Sequence, residues 1–537
     1  MCRWLLISIT LVGCTTDIAP TPTLRVEPEA MDLDVDLAAA PPTGAIHVYA
    51  SDEDGLEYEV TAGTTFTFTG AQLGTVDNAQ LTSDGVTGGA SILVVQYQKL
   101  SASVPVTARV HCRRVVEGTL APDAFATATP TPVDAQLSPV DRVVLPPNLG
   151  ELDLDFIADD LDDTHQVHIT APYLDLTVVA PGVAGPRELV LAANEWKAIA
   201  RTVRGGDVHV EVASLASTAP ATVKVASATY SIADVDVRDV MFGAMMEDTT
   251  FPILIRYDMK SARLQPALAG PDGTCVGCHV AVSADGKRLA AGVASTAGGP
   301  AGILFDLEQG TIITTSDAMP TPWVAGAFDP SGVLVTSSKT GDLDVRDATT
   351  GEVTRTITTG ELATSPAISP DGHSLAYTEL DVAGATIANP LGDALHVRPW
   401  NAATGEVGAP VELVRDARKV VMPMYSADGK WIAYGHTPDL ATEMPFLGSG
   451  AVKTDGSGTI VELTTDPLDR LARFASAPQP GKMWVVFTSS RPFGSNPAGI
   501  KQLWLETFDP DTGALSPAFH LPGQHALDIL HGPTPLP

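Results

Sequence analysis

Ser369-Pro370-Asp371-Gly372-His373-Ser374-Leu375-Ala376 is one of three closely similar stretches in this chain. The others are Ser283-Ala284-Asp285-Gly286-Lys287-Arg288-Leu289-Ala290 and Ser426-Ala427-Asp428-Gly429-Lys430-Trp431-Ile432-Ala433. In each, a Ser-x-Asp-Gly tetrapeptide precedes an apolar run. Glycine tolerates positive φ and aspartate bonds its own backbone, so each reads as a hairpin feeding a strand. Weaker copies start at Asp329-Pro330-Ser331-Gly332 and Pro478-Gln479-Pro480-Gly481. A second element follows each copy, a strand ending in Asp306-Leu307-Glu308-Gln309-Gly310, Asp347-Ala348-Thr349-Thr350-Gly351, Asn401-Ala402-Ala403-Thr404-Gly405 or Asp509-Pro510-Asp511-Thr512-Gly513. Thr454-Asp455-Gly456-Ser457-Gly458 plays the same part less clearly. These oxygens could suggest a cation, but a turn repeated once per unit needs none, and a hairpin is the reading.

Successive copies lie 40 to 57 residues apart, the range of four-stranded propeller blades. The repeats resemble the TolB-type β-propeller family over residues 237–537. Ile253 to Asp258 suggests an earlier blade that lacks the first element, so six blades are expected, with seven as the alternative. Phe519 to Gln524 is expected to supply the closing strand. The resemblance implies an interaction scaffold, in which one face of the propeller docks an envelope protein or a peptidoglycan-associated partner.

Inside this region stands Thr274-Cys275-Val276-Gly277-Cys278-His279. C-x-x-C-H is the attachment pattern for a c-type haem: two thiols for two vinyl groups, and a histidine for the iron. Cys275 and Cys278 are the expected attachment points and His279 the axial ligand. A Cys275–Cys278 disulfide, a pairing with Cys112 and a reduced redox pair are the competing uses of these thiols. A thioredoxin-type site needs a helix N-terminus, which is not expected here, and a zinc site needs two further ligands. Aligned on the Asp-Gly pair, His279 matches Ala325, Ser365, Met422 and Phe474, positions expected at the start of the innermost strands around one channel mouth. Met422, three blades on, is then the candidate sixth ligand, with channel-lining packing as its ordinary alternative. Met245, Met246, His525 and His531 are further candidates. His373, His396 and His436 read as structural or exposed residues with no partner.

The 537 residues include 64 acidic and 32 basic side chains, a net charge of -32. Such a surface repels nucleic acid and anionic headgroups. Five cysteines are too few for a disulfide scaffold of this length. Arg3, the apolar run Trp4–Val12 and the ending Leu11-Val12-Gly13-Cys14 read as an export signal, residues 1–13, too short to span a bilayer. The L-x-G-C ending resembles the lipobox of bacterial lipoproteins, which implies lipidation at Cys14. Thr15 in place of Asp implies outer-membrane sorting.

A tether over 14–23 leads to period-two apolar patterns over 24–112, which resemble bacterial immunoglobulin-like β-sandwich modules. A Thr/Pro-rich linker is expected over 113–147 and a second β-sandwich over 148–236, with a short helix around Asn194–Ala200 that buries Trp196. Asp159-Asp160-Leu161-Asp162-Asp163 reads as a solvated acidic turn; it lacks the spaced pattern of a calcium loop. No G-x-S-x-G, H-E-x-x-H, P-loop or G-x-G-x-x-G motif occurs in a catalytic context. The expectation is an all-β envelope lipoprotein whose propeller carries one covalent haem c for electron transfer or redox sensing, without a catalytic constellation. A haem-free scaffold is the alternative.

Overall fold

In a computed structural model, the described residues are 21–116, 123–132, 137–157, 162–182, 186–245, 253–268, 274–295, 299–315, 323, 325–338, 340–380, 392–437, 448–475, 481–492, 500–524, 528–529 and 534–536. The chain divides into two compact units, one of residues up to Cys112 with Pro172–Asp175, the other of Arg113–Ala171 with Leu176–Pro537.

The first unit is built from strands whose alternate residues are buried. In Met31–Asp36, Met31, Leu33 and Val35 face inward while Asp32 and Asp34 are exposed, the period of a half-buried strand. This strand pairs in parallel with residues 106–111, and Gly89–Tyr97 pairs antiparallel on the other side. Thr65–Gly70 extends the sheet. Smaller sheets join Leu24–Glu27 to His47–Ser51 and Glu57–Glu59, and Thr43–Ala45 to Gln80–Ser83 and Gly74–Asp77.

In the second unit, Thr164–Ala171, Asp207–Leu215 and Thr222–Ile232 form an antiparallel set. Within the stretch read as a linker, Thr129–Pro132 and Val144–Leu145 pair in parallel with Thr222–Ile232. The helix Ala193–Thr202 buries Trp196 at 1% exposure. Its first turn is held by Glu195, which accepts from the Ala192 N–H and pairs with Arg114 at 2.7 Å. The acidic turn is only partly described. Its Asp162 is buried and paired with Lys224 at 3.1 Å, and Asp163 accepts from Ser217. The expected solvated turn is corrected at Asp162, whose charge is held by Lys224 of the strand Thr222–Ile232.

The repeats build six blades. Blade 1 is Val240–Met245, Ile253–Asp258 and Arg263–Leu268; blade 2 is Thr274–Val282, Arg288–Ser295, Gly299–Asp306 and Thr311–Thr315; blade 3 is Gly326–Phe328, Leu334–Ser337, Leu343–Arg346 and Val353–Ile357. Blades 4 and 5 share the strand Val411–Tyr425. Its early residues close Leu362–Ile368, Ser374–Leu380 and Gly392–Asn401, and its later ones open Trp431–Thr437, Gly448–Lys453 and Ile460–Glu462. Blade 6 is Asp469–Phe474, Met483–Ser489, Gln502–Phe508 and Phe519–His520.

Neighbouring blades touch in sequence and blade 6 returns to blade 1. There Arg238 N–H donates to Ala475 O and Trp484 Nε1–H to Val235 O, both at 3.1 Å. The expected closing strand is corrected: Phe519–His520 pairs as the outermost strand of blade 6. The chain closes instead through Asp528–Ile529 and Thr534–Pro535, which pair with Val240–Met245. A propeller closed by its own C-terminal strands removes the free edge that an open last blade would leave.

The repeated tetrapeptides are hairpins. Ser283, Ser369 and Ser426 donate to Asp285, Asp371 and Asp428 at 2.6, 2.5 and 2.6 Å. Each serine Oγ also accepts a backbone N–H five residues on, at 2.9 to 3.0 Å. Gly286, Gly372 and Gly429 sit at φ +72, +74 and +71°. The second elements are turns too. Gly310, Gly351, Gly405 and Gly513 N–H groups donate back to the carbonyl four residues earlier. The Asp or Asn oxygens there accept two backbone N–H groups each.

Candidate functional site

The C-x-x-C-H lies on the innermost strand of blade 2, Thr274–Val282. Its pairing with Arg288–Ser295 breaks twice. Cys275 opposes Ala294 and Val276 opposes Val293, then Cys278 opposes Gly292, so Gly277 is an extra residue. A second break separates Cys278 from Ala281, which opposes Ala290.

The second break recurs around the ring. It falls between Thr364 and Ala367 in blade 4, between Val421 and Met424 in blade 5, and between Arg470 and Arg473 in blade 6. The first residue of each break, Ser365, Met422 and Leu471, holds φ of +49, +50 and +50°. His279 is the matching position of blade 2. The sequence match to Phe474 is therefore corrected to Leu471. In blade 6 the Ala475 N–H donates to Trp484, nine residues on, whereas the Ser426 N–H donates to Trp431, five on. Four extra residues in that hairpin displaced the Asp-Gly alignment. The expected start of each strand is corrected as well, since these positions fall within the strands, at a bulge.

The break at Gly277 belongs to blade 2 and not to the matching strands of blades 4, 5 and 6. In a regular strand, residues three apart lie on opposite faces. One inserted residue restores the parity. Cys275 and Cys278 oppose Ala294 and Gly292, which are two apart on an unbroken strand, so both cysteine positions belong to one face. The two cysteine positions are compatible with two thioethers to one planar macrocycle.

Met422 is half-buried on the innermost strand of blade 5, three blades from His279. Ala325 precedes the short strand of blade 3 and exchanges hydrogen bonds with Ser337. Met245 ends a strand of blade 1, paired with Asp528. Cys14, Met246, His525 and His531 lie outside the described residues. Cys112 is buried.

Two histidines read as unpartnered are corrected. His396 Nε2 meets Glu379 at 2.8 Å, with Arg415 on the same carboxylate at 3.1 Å and on Glu412 at 2.6 Å. His436 Nε2 meets Glu462 at 2.8 Å, beside Arg418; the hydrogen bond from His436 holds the Glu462 carboxyl below the usual range. Glu379, His396 and Glu412 bring three metal-capable groups together. The Arg415 guanidinium already occupies both carboxylates, and His396 Nδ1 has no partner to fix a ligating ring. The arrangement is a charge network joining strands of blade 4. His373 is exposed in its hairpin. Among the described residues no helix is long and apolar enough to cross a membrane.

No family model and no curated protein matches the chain. It is similar to many solved structures. TolB from Acinetobacter baumannii shares 17% identity at a TM-score of 0.37, over 62% of this chain and 83% of that one. Kuenenia stuttgartiensis hydrazine synthase shares 15% at 0.31, over 50% and 89%. The dihydro-heme d1 dehydrogenase NirN shares 14% at 0.32, over 52% and 53%. The propeller assignment rests on the six blades and on the pairing of the C-terminal strands with blade 1.

Proposed function

We propose that this chain is an exported lipoprotein of the cell envelope, anchored through Cys14, whose propeller carries one covalent haem c for electron transfer or redox sensing. The observation that carries the haem reading is the Gly277 break, which sets Cys275 and Cys278 on one face of blade 2. Each thiol would add its S–H across one vinyl group, with no atom lost, and His279 would bind the iron. The bound haem would supply one-electron chemistry. The net charge of -32 favours a positively charged redox partner and disfavours nucleic acid.

Two placements of the haem are distinguished by Met422. Standing in the channel mouth, the haem would meet Met422 on the far blade. Lying on the face shared by the two cysteines, it would not. Met422→Leu separates them: loss of a long-wavelength methionine–iron band marks the first placement, an unchanged spectrum the second.

The haem itself is tested by pyridine haemochrome spectra of protein co-expressed with the cytochrome c maturation system. One thioether-linked haem per chain is expected. Cys278→Ala should shift the spectrum to that of a single thioether or abolish it. A colourless wild type would leave a tethered propeller that docks an envelope protein.

A further inference from the structure

Thr65-Phe66-Thr67-Phe68-Thr69 reads the same in both directions. It lies in the strand Thr65–Gly70, which pairs antiparallel with Gly89–Tyr97 without a break, from Thr65 opposite Gln96 to Gly70 opposite Ser91. Its other side pairs with no strand among the described residues. Sheets normally blunt such an edge with a charge, a proline or a bulge. The edge strand Glu57–Glu59 carries two glutamates, whereas Thr65–Gly70 has none of these devices. Gly89–Tyr97 and residues 100–108 beyond it also hold no Asp, Glu, Lys, Arg or His. In a chain of net charge -32 this three-strand surface is uncharged, so two copies of it would meet without local like-charge repulsion. Phe66 and Phe68 oppose Val95 and Leu93, both fully buried, yet are themselves only half-buried at the open side. On the other face Thr65, Thr67 and Thr69 are exposed, and Thr69 opposes Ile92, which is 37% exposed.

We infer that two copies of this chain pair antiparallel along this edge, about a two-fold axis through Thr67. The palindrome fits that symmetry: Thr65 meets Thr69 of the other copy, Phe66 meets Phe68, and Thr67 meets itself. Directly opposed residues of antiparallel strands project to the same face. The two aromatic pairs therefore cover each other on the side of Val95 and Leu93, and the threonines form cross-strand pairs on the other. The backbone N–H and C=O groups left open at the edge find partners in the same step. A strand of six residues makes a small interface, so the pairing is reversible and follows concentration. The inference stands apart from the haem reading.

Sedimentation equilibrium of the full-length protein in detergent reads the pairing. The wild type should rise from the protein mass of one chain toward that of two as its concentration is raised. Thr67→Lys sets two ammonium groups opposite each other and should stay at the mass of one chain. Thr67 is exposed, so this variant should melt as the wild type does. Cysteine cross-linking under mild oxidation reads the register, with the wild type alongside to account for native thiols. Thr67→Cys should give a disulfide-linked pair on its own, and Thr65→Cys only when mixed with Thr69→Cys. A wild type that stays at one chain at every concentration overturns the inference and leaves the edge to an extended segment of another protein. Pairing by Thr67→Lys equal to that of the wild type overturns it too, as does Thr65→Cys linking to itself, the mark of parallel strands.

Discussion

Glu506 illustrates how one side chain can bias the whole propeller. It lies on blade 6 between Trp504 and Phe508, 5% exposed, with Oε1 lacking a hydrogen-bond partner. Burial pushes its carboxyl well above the ordinary range, and the charge of Asp469 adds to the effect. The folded state therefore keeps this proton at pH values where the unfolded chain has lost it. The stability it permits is complete below the unfolded pKa of about 4.3 and declines as pH rises toward the folded value. Glu506→Gln keeps the shape and removes the titration. Urea denaturation at pH 5 and pH 8 should show wild type losing more stability than the variant across that interval; equal losses would contradict the assignment. Arg473 is a second buried ion, its guanidinium pulled down to about 10 by burial and donating to the Ala472 carbonyl at 2.9 Å.

At the scale of elements, the hairpins carry the repeat. Ser426→Ala removes the hydroxyl that joins Asp428 to the Trp431 N–H, and should cost about 1 kcal/mol, read as a lower denaturation midpoint. Gly372→Ala forces a side chain into φ +74° and should cost about 1–2 kcal/mol in the same assay. The Asp371 carboxyl is held below its usual value, first by Ser369 and then by the His373 N–H. Its contribution is present above the unfolded carboxylate pKa and lost as pH falls through the folded one. Asp371→Asn should therefore flatten the acid limb of the stability curve below about pH 4.

These hairpins were legible in the sequence because serine, aspartate and glycine act on their own backbone within six residues. The inner-strand bulge was not, since it is a matter of register between strands and leaves no fixed residue type: Ser365, Met422 and Leu471 share only a conformation. For the same reason His396 and His436 looked alone; Glu379 meets His396 from the neighbouring strand, 17 residues away, and Glu462 meets His436 from across the strand Gly448–Lys453, 26 residues away. The C-x-x-C-H was readable as a motif, but the face on which it lies depends on Gly277 and on Gly292 opposite Cys278.

At the scale of the whole molecule, the ring depends on two short strands at the end of the chain. Asp528–Ile529 and Thr534–Pro535 are too brief to show an alternating pattern, which is why Phe519–Gln524 was the more visible choice. Ending the chain after Gln524 strips these two strands from Val240–Met245, which keeps its pairing with Ile253–Asp258, and exposes a strand edge. Such a protein should melt earlier and self-associate, as read by calorimetry and sedimentation; an unchanged melt would show that closure does not stabilise the ring. The central claim concerns the haem proposed for this ring. Intact mass spectrometry of matured protein, compared with Cys275→Ala/Cys278→Ala made in the same cells, weighs that group directly. The wild type should exceed the variant by the mass of one haem plus the two sulfur atoms lost by substitution; a difference of the sulfur atoms alone would contradict it.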